Sequence, residues 1–341
     1  MQGFSFAAVG AAVKKPGRLD LALICSEVPA AVAAVYTTNQ VKAAPVLLSM
    51  ERSCSVPVRA LIVNSGNANA CTGCQGLTDA LEMASLVAAG LGVAEEQVLV
   101  ASTGVIGKPL PMERIRSAVP ALLAGRGSAD MDHVAQAIMT TDTFAKTASA
   151  SGEVGGVCCT ITGVAKGAGM IMPNMATMLS FIITDAAVDP GYLRTAFSNS
   201  VNQSFNIISI DGDTSTNDTA LILANGMAGN SLVTAGSCEA QQFEELLNQV
   251  LLSLARQIVR DGEGATKFVE LKVCGARSVS EAKQAAMAVA NSLLVKTAFF
   301  GQDANWGRIV AAVGYSGVTV DQDLLALFFD DVQMVSRGVF V

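Results

Sequence analysis

Residues 157–188, VCCTITGVAKGAGMIMPNMATMLSFIITDAAV, restrict the fold more than any other stretch. Two apolar runs of strand length, rich in β-branched residues, flank a turn made of glycine, methionine and proline. Runs of this kind read as strands of a buried sheet. The turn has no linker composition, so the boundary at Ala176-Thr177 falls inside what should be core. Thr177 itself has two readings. It is the first residue of a buried strand, or the peptide bond before it is meant to be broken.

The 341 residues are enough for one large domain or two ordinary ones. With 51% hydrophobic and 15% charged residues, the chain reads as globular with much buried surface. A mean hydropathy of +0.45 raises the question of a membrane. The longest apolar stretches, such as AAMAVANSLLV (285–295), fall short of the ~18 residues a spanning helix needs. No basic segment followed by a hydrophobic one opens the chain. The expectation is a soluble, cytoplasmic protein. A net charge of −7, with no cluster of Lys and Arg, argues against nucleic acid.

The eight cysteines lack a secretory context, and the CxxC of Cys71 and Cys74 has no second ligand pair, so buried or half-buried thiols are expected rather than zinc. Asp211, Asp213 and Asp218 in DGDTSTND lack the spacing and closing glutamate of a calcium loop, so no metal is expected there. His133 is the one imidazole, in a stretch that reads as a solvated helix surface opening at Ser128. Nucleophilic catalysis by this chain therefore dispenses with histidine.

Strand-like and helical patterns alternate throughout. DLALICSEVPAAVAAVYTT, RALIVNSG, QVLVASTGVIG and TALILANG read as strands, as does KFVELKVCGA near residue 270. LTDALEMASLVAAGLG (77–92) carries helical periodicity and ends in glycine. The longest helix is expected from about Cys238 to Val259, and a later one opens with the capping box of Ser278 and Glu281. Strands of both styles mixed with helices give an α+β layered architecture.

A threonine hydroxyl is a poor nucleophile unless a base sits beside it. Placing the threonine at a chain N-terminus supplies one, because an unperturbed α-amine titrates at about 7.7–8.0. In mid-sequence this requires cutting Ala176-Thr177, with the Thr177 hydroxyl attacking the Ala176 carbonyl. The Gly-Pro turn suits a strained peptide, and equally suits an ordinary β-turn.

KGAGMIMPNMATMLSFIITDA (166–186) resembles the cleavage signature of the ornithine acetyltransferase (glutamate N-acetyltransferase) family of arginine biosynthesis. IVNSGNANACTG, ASTGVIG, IMTTDTFAK, DGDTSTNDT, DGEGATK and FFGQDANWGRI resemble further family blocks, in the family's order. The resemblance implies self-cleavage into an α chain, 1–176, and a β chain, 177–341, that stay in one layered N-terminal-nucleophile-like sandwich with a smaller C-terminal α/β domain. It makes Thr177 the nucleophile, and Thr103 (hydroxyl) and Gly104 (backbone N–H) the oxyanion hole. Thr143, Lys166, Thr177 and Glu263 become substrate contacts.

The implied reaction moves an acetyl group from N2-acetyl-L-ornithine to L-glutamate without a cofactor. Acetyl-CoA is a second donor in some members, and the assembly would be an α2β2 heterotetramer. The family normally runs several dozen residues past the position of Val341, so two of its C-terminal substrate contacts have no counterpart here. Two other readings stand beside this one. One is an amidohydrolase or aminopeptidase of similar architecture, and the other is an inactive remnant.

Overall fold

A computed structural model of the chain describes residues 1–172 and 178–341. Ala176 and Thr177 lie outside the described residues. Two compact units emerge, Met1–Ile208 with Asp213–Glu263, and Ser209–Gly212 with Gly264–Val341.

The first unit runs β1 (Phe4–Val9), β2 (Leu21–Tyr36), α1 (Ala44–Ser53), β3 (Val58–Asn67), α2 (Gly73–Leu91), β4 (Val98–Val105), α3 (Met112–Ala124), α4 (Met131–Ile138), β5 (Lys146–Val154), β6 (Val157–Lys166), β7 (Leu179–Thr184), α5 (Pro190–Asn202), β8 (Thr219–Ala224) and α6 (Cys238–Arg260). Its strands lie in the order β4-β3-β2-β8-β7-β6-β5, with β1 also paired to β2. The long β2 joins two halves. Its first part pairs with β1 and β3, and its last part, Ala31–Tyr36, pairs with β8. The β2–β3 register breaks between Cys25 and Ala30, where Pro29 has no N–H to give to a ladder.

Alternation along the strands sorts the side chains into layers. Leu21, Leu23, Ile62 and Val100 face α2 and α3, with Met83, Val87, Ile115 and Leu122 against them. The opposite faces, Ala22, Ile24, Leu61, Val63 and Leu99, share one core with Leu179, Phe181, Ile183, Leu221 and Leu223 and with Val134 and Ile138 of α4. On the far side, α6 covers the sheet closely. A Cβ at Gly163 would lie 2.3 Å from Ile182, 3.0 Å from Leu254 and 3.3 Å from Val250. The unit is thus an α/β/β/α sandwich, matching the layered α+β expectation. Each buried Leu, Ile or Phe contributes roughly 1.5–3 kcal/mol relative to exposure.

The second unit holds α7 (Val279–Asn291), α8 (Leu293–Phe300), α9 (Trp306–Gly314) and the antiparallel strands β9 (Leu327–Phe329), β10 (Val332–Ser336) and β11 (Val339–Phe340). Val289, Val295 and Ala312 form its small core. Ser278 caps α7 by accepting the Glu281 N–H at 3.2 Å. The expected reciprocal half of the box is replaced, because the Glu281 carboxylate pairs with Arg277 instead.

Three sequence expectations are corrected. Residues 267–276 form no strand, since the described strands of this unit pair only with one another. The helix carrying His133 is capped by Asp130, not opened at Ser128. Only Cys25 and Cys159 are buried, and the other six thiols are exposed.

Candidate active site

Strand register gathers the candidate residues at one end of the sandwich. Lys166, the last residue of β6, pairs with Leu179 at the start of β7, and Leu179 pairs with Thr219 at the start of β8. The carboxyl ends of β3 and β4 run parallel, with Thr103 opposite Ser65 and Gly104 opposite Gly66. Asn217 ties the two groups together. Its Nδ2 donates to the Ala68 carbonyl at 2.6 Å and to the Ser102 carbonyl at 2.8 Å, fixing the peptide that leads into Thr103.

Gly104 has no substitute. Its φ is +139°, and a Cβ there would meet the Gly66 carbonyl carbon at 2.3 Å and the Asn67 nitrogen at 2.4 Å. That close approach holds Thr103 in place. Thr103 is 3% exposed, and its Oγ1 accepts a hydrogen bond from Lys166 Nζ at 3.3 Å. Because the oxygen accepts from an ammonium, the hydroxyl proton is left to donate elsewhere.

Lys166 is itself 3% exposed. Burial pushes its pKa below the ordinary lysine range, against the pull of Asp142, Asp218 and Glu263, with Lys146 adding to the fall. For Asp142 the balance goes the other way. Burial raises it, but the charges of Lys166 and Lys146 and the bonds from Lys146 and the Thr140 N–H bring it below its usual value.

Lys146 anchors the neighbouring loop. Its Nζ lies 2.7 Å from Asp142 Oδ1 and 2.5 Å from Asp261 Oδ2, all three side chains being buried. The same two carboxylates collect backbone donors. Asp142 takes the Gly167 N–H at 2.7 Å and the Thr140 N–H at 3.0 Å, and Asp261 takes the Thr143 N–H at 3.0 Å. The Thr143 hydroxyl also donates to Asp261. Its proton is therefore committed, and the exposed Thr143 can offer a substrate only oxygen lone pairs. Glu263 is exposed, and its backbone N–H donates to the Ala168 carbonyl at 2.7 Å. A Cβ on Gly169 would lie 2.8 Å from the Glu263 carboxyl carbon, so glycine is what lets this side chain lie over the turn.

The structure thus brings together Thr103, Gly104, Lys166 and Glu263, and ties Thr143 to them through Asp261, Lys146 and Asp142. The expected nucleophile Thr177 and its neighbour Ala176 are outside the described residues. Sequence reasoning missed Lys146, Asp142, Asp261 and Asn217, and considered Asp218 only as a metal ligand.

A glycine-locked hydroxyl beside a desolvated lysine and desolvated carboxyls, at the strand ends of an α+β sandwich, is the kind of cluster from which enzyme sites are built. The sequence profile of the ArgJ family matches residues 5–341. The arginine biosynthesis bifunctional protein ArgJ of Geobacter sulfurreducens is 67% identical over 340 residues, covering 100% of this chain and 86% of that protein. Among solved structures, ArgJ from Bacillus halodurans is 44% identical over 51% of this chain and 92% of that one, with a TM-score of 0.49. Ornithine acetyltransferase from Mycobacterium tuberculosis, solved in complex with ornithine, is 38% identical over 50% of this chain and 92% of its own, with a TM-score of 0.44. The chain belongs to the ArgJ family. No helix among the described residues is long and apolar enough to cross a membrane.

Proposed function

We propose that the chain is the acyltransferase of arginine biosynthesis that its family membership indicates, moving acetyl from N2-acetyl-L-ornithine to L-glutamate through an acetyl ester on Thr177. The chain first cuts itself at Ala176-Thr177, giving pieces 1–176 and 177–341. The freed α-amine of Thr177 then takes the hydroxyl proton as the oxygen attacks the acetyl carbonyl. Ornithine leaves, and the glutamate amine attacks the ester.

The observation that carries this reading is the buried contact of Lys166 with Thr103 beside Gly104. It leaves the Thr103 proton free to stabilise a tetrahedral oxyanion, next to the N–H of a glycine that tolerates no side chain. Lys166 offers a cation to a substrate carboxylate, Glu263 an anion to its ammonium, and Thr143 an acceptor. Transfer through a hydroxyl nucleophile needs no cofactor, and acetyl-CoA would enter as a second acetyl donor at the same threonine. The pieces would assemble as an α2β2 heterotetramer in the cytoplasm.

Intact mass under denaturing conditions tests the first step. Two fragments meeting at Ala176/Thr177, absent in Thr177→Ala, are expected, and a single uncut species would sink the proposal. Parallel-line, ping-pong kinetics between acetylornithine and glutamate test the second step.

A further inference from the structure

The transfer cycle has a base in the Thr177 amine, but maturation does not. Before the chain is cut, the Thr177 nitrogen is an amide and cannot take a proton as an amine does. His133 stands exposed on α4 with its ring held by Asp130 at 2.6 Å. Some other group must receive the hydroxyl proton.

Asp218 is a buried carboxyl that the transfer reaction leaves unused, at 0% exposure. Its Oδ1 accepts the Met178 N–H at 3.0 Å, and the Thr219 N–H donates to the Met178 carbonyl at 3.1 Å. The carboxyl is therefore fixed against the residue that follows Thr177 in the chain. Its Oδ2 makes no hydrogen bond among the described residues. A buried oxygen left in this way costs free energy and calls for a reason. Three covalent bonds join the Thr177 and Met178 nitrogens, which keeps them within about 4 Å of each other. The carboxyl is thus hydrogen-bonded to the residue next in the chain to the proposed nucleophile.

We propose that Asp218 carries the proton in self-cleavage, a role that rests on the reading of Ala176-Thr177 as the cut bond. Oδ2 accepts the Thr177 hydroxyl proton as the oxygen bonds to the Ala176 carbonyl carbon. It returns that proton to the Thr177 nitrogen as the carbon–nitrogen bond breaks, leaving an ester and a free amine. Water then hydrolyses the ester, giving the Ala176 carboxylate and restoring the hydroxyl.

The surroundings suit the task. Burial holds Asp218 well above the ordinary carboxylate range, and the Met178 N–H and the Lys166 charge offset only part of this. Such a carboxyl is a stronger base than a solvated one. Lys166 at the end of β6 is the charge acting on it, and around Lys166 stand Asp142, Lys146 and Glu263.

The test follows cleavage of the full chain with time during cell-free synthesis, across a pH series, for wild type, Asp218→Asn, Asp218→Glu and Thr177→Ala. Asp218→Asn should slow cleavage by about 100-fold or more. It should also replace the wild-type pH inflection with a steady rise in hydroxide, while Asp218→Glu restores part of the rate and the inflection. Asp218→Asn cut at the wild-type rate overturns the proposal, as does a slowed variant whose pH profile keeps the wild-type shape. A wild-type chain that stays whole overturns the cut-site reading along with it, whereas equal cutting of wild type and Asp218→Asn removes Asp218 alone.

Discussion

Lys146 and Lys166 are both buried and lie side by side, for Lys146 opens β5 and pairs across the ladder with Ala165. Their surroundings differ sharply. Lys146 sits between two carboxylates at 2.7 and 2.5 Å, whose remaining capacity is filled by backbone N–H groups from two loops. Lys166 meets a single threonine oxygen at 3.3 Å among the described residues. One lysine completes a cluster that holds loops in place. The other has one hydrogen-bond acceptor among the described residues and feels the carboxylates of Asp142, Asp218 and Glu263 only through their charge, as suits the proposed role of a cation for a substrate carboxylate. Depth of burial does not separate the two lysines, whereas their hydrogen-bond partners among the described residues do.

The contrast can be broken at its stronger end first. Lys146→Met strands Asp142 and Asp261 in the interior, and should cost about 3–5 kcal/mol in a urea unfolding curve. Thr103→Ala, which removes the oxygen that Lys166 meets, should lower kcat for acetyl transfer by about 10²–10³-fold, with far less change in stability. Lys166→Met sharpens the comparison, because it relieves a desolvated charge. Its stability should stay within about 1 kcal/mol of wild type while transfer is lost. If it unfolds as readily as Lys146→Met, the two lysines are alike and the distinction fails.

The smallest expected effect concerns pH. A carboxyl raised above its unfolded value of about 3.9 keeps its proton longer in the folded state, so Asp218 lowers stability as pH climbs from about 4 through its folded pKa. Asp218→Asn cannot ionise. Its melting temperature should gain on wild type as pH rises, and the difference should level off below about pH 4. A difference that is constant with pH would mean that Asp218 is not held protonated.

The fold was legible where local pattern decides. The apolar runs of β2, β3, β4, β7 and β8 and the periodicity of α6 are visible in the sequence, and α6 ends within a residue of the expected Val259. KFVELKVCGA alternates as a strand does, but a strand is a pairing, and among the described residues these positions have no partner strand. The site residues Thr103, Gly104, Thr143, Lys166 and Glu263 came from resemblance, because their blocks are distinctive. Asp261 reaches Lys146 across 115 positions and Asn217 reaches Ala68 across 149, and nothing in either local stretch marks the other. Asp142 and Lys146 stand four residues apart in IMTTDTFAK, a spacing that allows an ion pair without marking one. Asp218 read as one acid among three in a polar loop, since an unmatched oxygen shows only once the interior around it is built.

Within the sheet, β7 and β8 are neighbours, with β6 on one flank and β2 on the other. Severing the chain between 176 and 177 would leave β2 and β6 on one piece and β7 and β8 on the second. The later piece is then a tongue set in a slot, gripped by the ladder of Ile161–Lys166 along one edge and of Ala31–Tyr36 along the other. Pulling it free would open both edges at once and wet Phe181, Ile183, Leu221 and Leu223. The nicked molecule should therefore travel as one body through a native column, come apart only in denaturant, and be hard to reassemble from its separated halves.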